Sequence, residues 1–296
     1  MTFRPFIALF LLLAAHSAQA DLILLLSDNK PSITRMAQSI QAIYEGKVQT
    51  YNLAGDRNQA GEVINAIKNS DSHQVVAIGL LAAQLARENL SSKQVVFSHI
   101  LSYEESLLVT PWMKGVSALP SHYKQFNVWK KLNPSLKRVA VITSRRMRND
   151  VWLATEAAIS AEVELIHTEV SSDREVMQAL KRISGQIQGL WLAPDSYILS
   201  ADLIREIMAY TLRENIQVLA FSPALLREGA LLSGTIDVSE AARLVLDRLQ
   251  QSQGKKNIPG EAELPLSNAI ISINGKAAER YGLTISNKLR EITHVE

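Results

Sequence analysis

The 296-residue chain contains no cysteine. It can therefore form no disulfide, offer no thiolate to a metal or a substrate, and carry no lipid on a cysteine. The loops of nucleotide chemistry are also missing. There is no Gly-x-x-x-x-Gly-Lys-Ser/Thr segment to cradle phosphates and no Gly-x-Gly-x-x-Gly after the first buried run to hold a dinucleotide. No Gly-x-Ser-x-Gly elbow presents a serine nucleophile. Beyond the first twenty residues, His73, His99, His122, His167 and His294 are scattered with no His-x-x-x-His pair, so no zinc site is expected. Charge of one sign is lacking too. The 31 basic and 29 acidic side chains nearly balance, which excludes the basic face that nucleic acids require. The expectation is a chain with no catalytic residues, no cofactor and no metal.

What is present begins at the N-terminus. Arg4 is the only charge before the apolar run Phe6 to Ala15, and Ala18-Gln19-Ala20 follows. A basic start, a short apolar core and an Ala-x-Ala exit form a secretory signal peptide, cut after Ala20. The run is too short to span a bilayer, which takes about 20 apolar residues. Every later apolar stretch is broken by charge. A mature protein free in the periplasm is expected, with an uncleaved anchor as the alternative.

The remaining sequence alternates between strand-like and helix-like segments. Leu22 to Leu26 is continuously apolar, as in a strand covered on both faces. Ile33, Met36, Ala37, Ile40 and Tyr44 then recur at helical spacing behind Pro31, which suits a first helical turn. The pattern repeats through strands at 48–51, 75–78 and 95–98. An irregular stretch at 99–120 holds one candidate strand, Val116 to Leu119, and the alternation restarts at Val139 to Thr143. A final strand, Ala269 to Ile273, leads into a short helix capped by Asn274. Two successive βαβ series joined near residue 118 predict an α/β fold of two doubly wound lobes with mainly parallel sheets.

Open parallel sheets bind ligands beyond the carboxyl ends of their strands. In the first series those ends carry Ser27, Asp28, Gly79, Ser98, Ser102 and Tyr103. In the second they carry Ser144, Arg145, Asp195, Ser196, Ser222 and Asp237. Two such rims facing each other would enclose a small polar molecule. Ser27, Asp28 and Ser196 could equally cap the helices that follow them. Asp237 stands two residues before Ser239, which can cap that helix, leaving the carboxylate for a ligand ammonium. Arg145, Arg146 and Arg148 oppose the dipole of the helix they precede. They either hold a ligand anion or form a solvated loop. Tyr103, Trp112 and Tyr197 fall in cleft or hinge segments and could stack on a planar ligand. Trp129, Trp152 and Trp191 fall within regular elements and are expected in the core.

Residues 75 to 285 resemble the substrate-binding proteins of ABC transporters, in the group with tryptophan- and tyrosine-type binders. The likeness rests on Val75-Val76-Ala77-Ile78-Gly79 with Ala82-Ala83-Gln84, on Val96-Phe97-Ser98, and on Leu132-Asn133-Pro134 ahead of Arg138-Val139-Ala140-Val141. Leu192-Ala193-Pro194-Asp195, Phe221-Ser222-Pro223, Glu228-Gly229-Ala230-Leu231, Ile273-Asn274 and Ala277 to Leu283 continue it in order. The resemblance implies a class I periplasmic-binding-protein fold, with two lobes about a three-stranded hinge. Residues 21–118 with 239–264 would form the first lobe, and 119–238 with 265–296 the second. It also implies that Ser144, Asp195, Ser196, Ser222 and Asp237 face the cleft. Gly79-Leu80-Leu81, Ser102-Tyr103 and Trp112 to Gly115 depart from the family pattern, so the first-lobe half of the pocket is rebuilt. The function implied is a non-enzymatic, monomeric solute-binding protein that clamps an amino-acid-like or other small carboxylate for an ABC permease. A periplasmic sensing module docking on a membrane receptor is the alternative. An enzyme on this scaffold would need a catalytic constellation that the sequence does not contain.

Overall fold

A computed structural model of the chain describes residues 22–58, 60–101, 103 and 106–296. The leader, its cut after Ala20, and Ser102 lie outside the described residues. The first lobe opens with β1 (Leu22–Leu26), α1 (Pro31–Ile43), β2 (Val48–Asn52), α2 (Ala60–Lys68) and β3 (Gln74–Ile78). It continues with α3 (Leu80–Asn89), β4 (Gln94–Ser98) and β5 (Met113–Val116). The second begins with α4 (His122–Leu132), β6 (Arg138–Thr143), α5 (Arg148–Ser160), β7 (Glu164–Glu169), α6 (Asp173–Ile183) and β8 (Gly189–Leu192). Then come α7 (Ala201–Arg213), β9 (Gln217–Ala220), β10 (Leu232–Thr235) and α8 (Val238–Ser252). The chain closes with β11 (Glu263–Leu264), β12 (Ile270–Ile273), α9 (Gly275–Arg280), α10 (Asn287–Ile292) and β13 (His294–Val295).

Two sheets result. The first has the order β11-β5-β4-β3-β1-β2, with every pair parallel. The second has the order β13-β12-β10-β9-β8-β6-β7, parallel except where β12 runs antiparallel to β10. Helices cover both faces of each sheet, which explains the unbroken apolar strands. Ile23 and Leu25 of β1 pack into one core, while Leu22, Leu24 and Leu26 pack into the core on the opposite face. Val139 and Val141 of β6 likewise face away from Ala140 and Ile142. Each valine, leucine or isoleucine among them contributes about 1.5–3 kcal/mol when fully buried, and interleaving them on two faces stabilises both layers at once.

The chain crosses between the sheets three times. It passes from β5 to α4, from β10 to α8, and from β11 to β12. Helix α8 follows the last parallel strand of the second sheet but packs on α1, β4 and β5 of the first. Its Ala241, Ala242, Val245 and Leu249 enter the core beneath β1. From the same helix the buried Arg248 donates to the carbonyls of Gly115 and Glu261, tying β5 to the segment that leads into β11. Asn268 knits the three crossings together. Its carbonyl accepts from Ser121 N at 3.0 Å, and its side chain donates to Asp237 Oδ2 at 3.1 Å and accepts from Lys124 Nζ at 2.6 Å.

One expected strand is displaced. The fifth strand of the first sheet is Met113–Val116, and 117–121 form the crossing instead. Gly115 conceals the strand in the sequence, since a Cβ there would stand 2.2 Å from the Phe97 ring on the neighbouring strand. Only glycine lets β5 lie beside that phenylalanine.

Candidate functional site

The carboxyl ends of the two sheets face a cleft of about 600 Å³. From the first lobe, Ser32 and Arg35 of α1 line it, with His99 and Leu101 beyond β4. Ala118, Leu119 and Pro120 of the first crossing form its base. The second lobe supplies His122 and Gln125 of α4, Trp191 of β8 and Pro194. Phe221, Ser222 and Pro223 beyond β9, with Gly234, Thr235 and Ile236 at the end of β10, complete the wall.

Local structure fixes these groups. Ser121 caps α4, its side chain accepting from Lys124 N, so His122 is the first helical residue and projects at the cleft base. Its imidazole meets the Trp191 ring edge-on at 5.0 Å between centroids. Gln125 is buried and donates to the carbonyl of Pro120 at 3.0 Å. It fits against β10 because Gly234 has no Cβ, which would stand 2.4 Å from Gln125 Oε1. His99 adopts a left-handed φ of 61° directly after β4, with Nδ1 3.3 Å from Ser98 Oγ.

Electrostatically the two imidazoles are alike. Burial lowers the pKa of both to about 4, assisted at His99 by the charge of Arg35, so both rings are neutral at pH 7. His99 Nε2 and His122 Nδ1 are buried without a hydrogen-bond partner. The guanidinium of Arg35 is exposed, its Nε donating to Pro31 O at 3.1 Å, and it makes no ion pair among the described residues. Among those residues no group of histidine and carboxylate side chains gathers to hold a metal ion.

Of the strand-end residues singled out in the sequence, Ser222 lines this cleft. Ser27 is buried beneath the rim and accepts from Ala82 N at 2.9 Å. It therefore caps α3, a helix remote in sequence, rather than the α1 that follows it. Gly79 adjoins it with a φ of 89°, and a Cβ there would stand 2.7 Å from Ser27 Oγ. Asp28 accepts from Lys30 N at 2.8 Å and pairs with Lys30 Nζ at 3.0 Å. Ser98 is fully buried beside His99. Tyr103 packs on the Phe97 ring at 5.7 Å, and with Trp112 it belongs to the first-lobe core.

In the second lobe Ser144 is buried and accepts from Arg146 N, capping the 3-10 turn 145–147. Asp195 is buried and accepts from Ser144 N at 2.6 Å and Tyr197 N at 3.1 Å. Ser196 is exposed in the turn that follows. Asp237, expected to leave its carboxylate free, is itself the cap of α8, accepting from Ser239 N at 3.0 Å and Glu240 N at 3.1 Å. The helix starts two residues earlier than a Ser239 cap would allow, because Val238 and Ser239 are already helical. The arginine cluster is dispersed over the surface. Arg148 makes a two-point pair with Glu169, Arg146 lies over the exposed Tyr197 ring at 4.2 Å, and Arg145 is exposed.

Strand-end position points to His99 as well as Ser222, whereas the sequence conceals Arg35, His122 and Trp191 as lining residues. Arg35 belongs to a helix face whose buried neighbours dominate the pattern. His122 stands where a loop becomes a helix. Trp191 is buried in a strand and still reaches the cleft. The usable signal for His99 was its place directly after a strand.

The folds of solved proteins match this arrangement. Over 94 % of this chain and 99 % of theirs, it is similar to an ABC domain in complex with L-Trp from Streptococcus pneumonia, at 19 % identity and a TM-score of 0.62. With the same coverage it is similar to the ligand-free, open structure of CD0873 from Clostridium difficile, a substrate binding protein with adhesive properties, at 14 % identity and a TM-score of 0.70. A periplasmic binding ribose operon repressor protein from Lactobacillus acidophilus matches over 84 % of this chain and 95 % of its own, at 10 % identity and a TM-score of 0.50. The architecture is that of the class I periplasmic binding proteins. No curated protein matches the sequence. The family model described as ABC transporter substrate binding protein matches residues 36–294, and with two lobes facing across a cleft, the chain belongs to that family.

Proposed function

We propose that this chain is an exported, periplasmic solute-binding protein that closes its two lobes on a small carboxylate and presents it to a membrane ABC permease. The observation that carries the proposal is the cleft itself. It lies at the carboxyl ends of both sheets, at the crossings between them, and takes lining residues from each lobe. That is where open parallel sheets bind ligands, and a ligand touching both lobes favours the closed arrangement over the open one. Family membership supports the same reading, since the family consists of binding proteins. The twelve strand-end residues enter the proposal unequally. Ser222 would meet the ligand, whereas Ser27, Ser144, Asp195 and Asp237 would hold the rim that presents it. Arg35, His99, His122, Trp191 and Phe221 would contact the solute directly. No helix among the described residues is long and apolar enough to cross a membrane.

Thermal denaturation of the purified protein against a broad panel of small solutes tests this. Binding to the folded state alone stabilises by about 2.7 kcal/mol at a hundredfold excess over Kd. A panel of sugars, amino acids, carboxylates and phosphates that leaves Tm unmoved would remove the solute-binding reading.

A further inference from the structure

The charges around the cleft point to a narrower class of ligand. An amino acid carries an ammonium group, and enclosing an ammonium calls for a carboxylate partner, because an unpaired charge taken out of water is strongly disfavoured. Three carboxylates singled out at the strand ends could have served, and each is committed elsewhere, as is Glu169 at the end of β7, paired with Arg148. Asp28 is held by Lys30, Asp195 by the amides of Ser144 and Tyr197, and Asp237 by the α8 cap and Asn268. Among the described residues that line the cleft there is no aspartate or glutamate. The single formal charge there is the guanidinium of Arg35, whose planar fork matches a carboxylate. Both lining histidines are neutral at pH 7 and add no net charge. The rest of the wall is mainly hydrophobic, with Leu101, Leu119, Trp191, Phe221 and Ile236.

We infer that the cleft takes a hydrophobic carboxylate that carries no ammonium group, its carboxylate at Arg35 and its apolar body against Trp191 and Phe221. This rests on the solute-binding reading and specifies its ligand class. The acid and the lipophilic body are recognised from opposite lobes, because Arg35 belongs to the first and the two aromatic rings to the second. A compound bearing both would bridge the lobes, whereas a hydrophobic amine would meet only one favourable side.

Matched pairs that differ only in the amino group test the inference. Calorimetric titration of the purified protein with hexanoate and L-norleucine, hydrocinnamate and L-phenylalanine, and indole propionate and L-tryptophan compares them directly. At least one acid is expected to bind about tenfold or more tightly than its amino counterpart. An amino acid that binds as tightly as its acid or more tightly would overturn the inference and leave solute binding standing. So would silence from all three acids alongside a response to some other solute in the broad panel. Silence from every compound would overturn both. Arg35→Gln is expected to weaken the best acid about tenfold or more while leaving the Tm of the unliganded protein unchanged, since the side chain is exposed, and Arg35→Lys is expected to recover part of the loss. Wild-type affinity in Arg35→Gln would show that the carboxylate lies elsewhere.

Discussion

Asp195 Oδ2 accepts the backbone amide of Ser144 at 2.6 Å, joining the end of β8 to the end of β6 beneath the second-lobe rim. Both residues are buried, and Asp195 Oδ1 also accepts from Tyr197 N. Asp195→Ala would strand two backbone donors, one of them in the buried Ser144. An unsatisfied buried donor costs about 1–3 kcal/mol, so an unfolding free energy lower by that much, with a lower urea midpoint, is expected. A midpoint within error of wild type would show that water replaces the carboxylate freely.

Gly79 has φ 89° and ψ 167°, a conformation nearly confined to glycine, and lies against Ser27. Gly79→Ala would combine backbone strain with a clash against Ser27 Oγ at the head of α3. The expected loss is about 1–3 kcal/mol. Gly185→Ala serves as the control, because nothing stands within 4 Å of a Cβ there, and a shift within about 0.5 kcal/mol is expected. Equal effects in thermal denaturation would refute the argument from geometry.

Asp237 caps α8 and receives Asn268, so its removal loosens both a helix and a crossing. Asp237→Ala should cost about 1–2 kcal/mol, whereas Asp237→Ser, which keeps a capping oxygen, should recover much of it. The comparison of the two variants by chemical denaturation is the check. Identical stabilities would mean that the cap contributes nothing.

His99 and His122 titrate near pH 4 in the folded protein, because burial, and Arg35 at His99, disfavour their protonated forms. In the unfolded chain each takes up its proton near pH 6.5. Between those values the unfolded state binds more protons, so stability falls as the pH drops from about 6.5 to about 4. The slope reaches at most about 1.4 kcal/mol per pH unit for each histidine. Urea midpoints measured from pH 7 to pH 4.5 should show the decline, and His99→Gln with His122→Gln should flatten it. An equally steep decline in the double variant would assign it to other groups.

How much of this could be seen in the chain beforehand varies with the physics of each element. Strands covered on both faces, such as Leu22–Leu26, stand out because nothing but apolar side chains fits between two helix layers. Helix α1 shows its buried face at helical spacing behind Pro31. Helix α10 and the strands β11 and β13 are too short for any period to emerge. The strand ends lie about the cleft, and of the residues singled out at them Ser222 lines it. The roles of their side chains depend on partners far away in sequence, as Ser27 does on Ala82 and Asp195 on Ser144. A capping serine and a ligand-binding serine are the same letter, and only the third dimension separates them. The two lining histidines stand at a strand end and a helix start, where periodicity carries no information about direction, and Arg35 lies on the exposed side of α1, whose pattern reports only its buried face.

The late arrival of α8 sets an order on folding. When residues up to Thr235 have been synthesised, five of the six strands of the first sheet exist, but the helix that covers α1, β4 and β5 does not. The apolar face formed by Leu22, Leu24 and Val96 must wait, partly open, for Ala241, Val245 and Leu249. The second sheet meanwhile still lacks β12 and β13, which follow later. The first sheet is completed by β11 at Leu264 and the second only by β13 at Val295. The interleaved connectivity therefore leaves both halves incomplete until the residues beyond Thr235 have emerged.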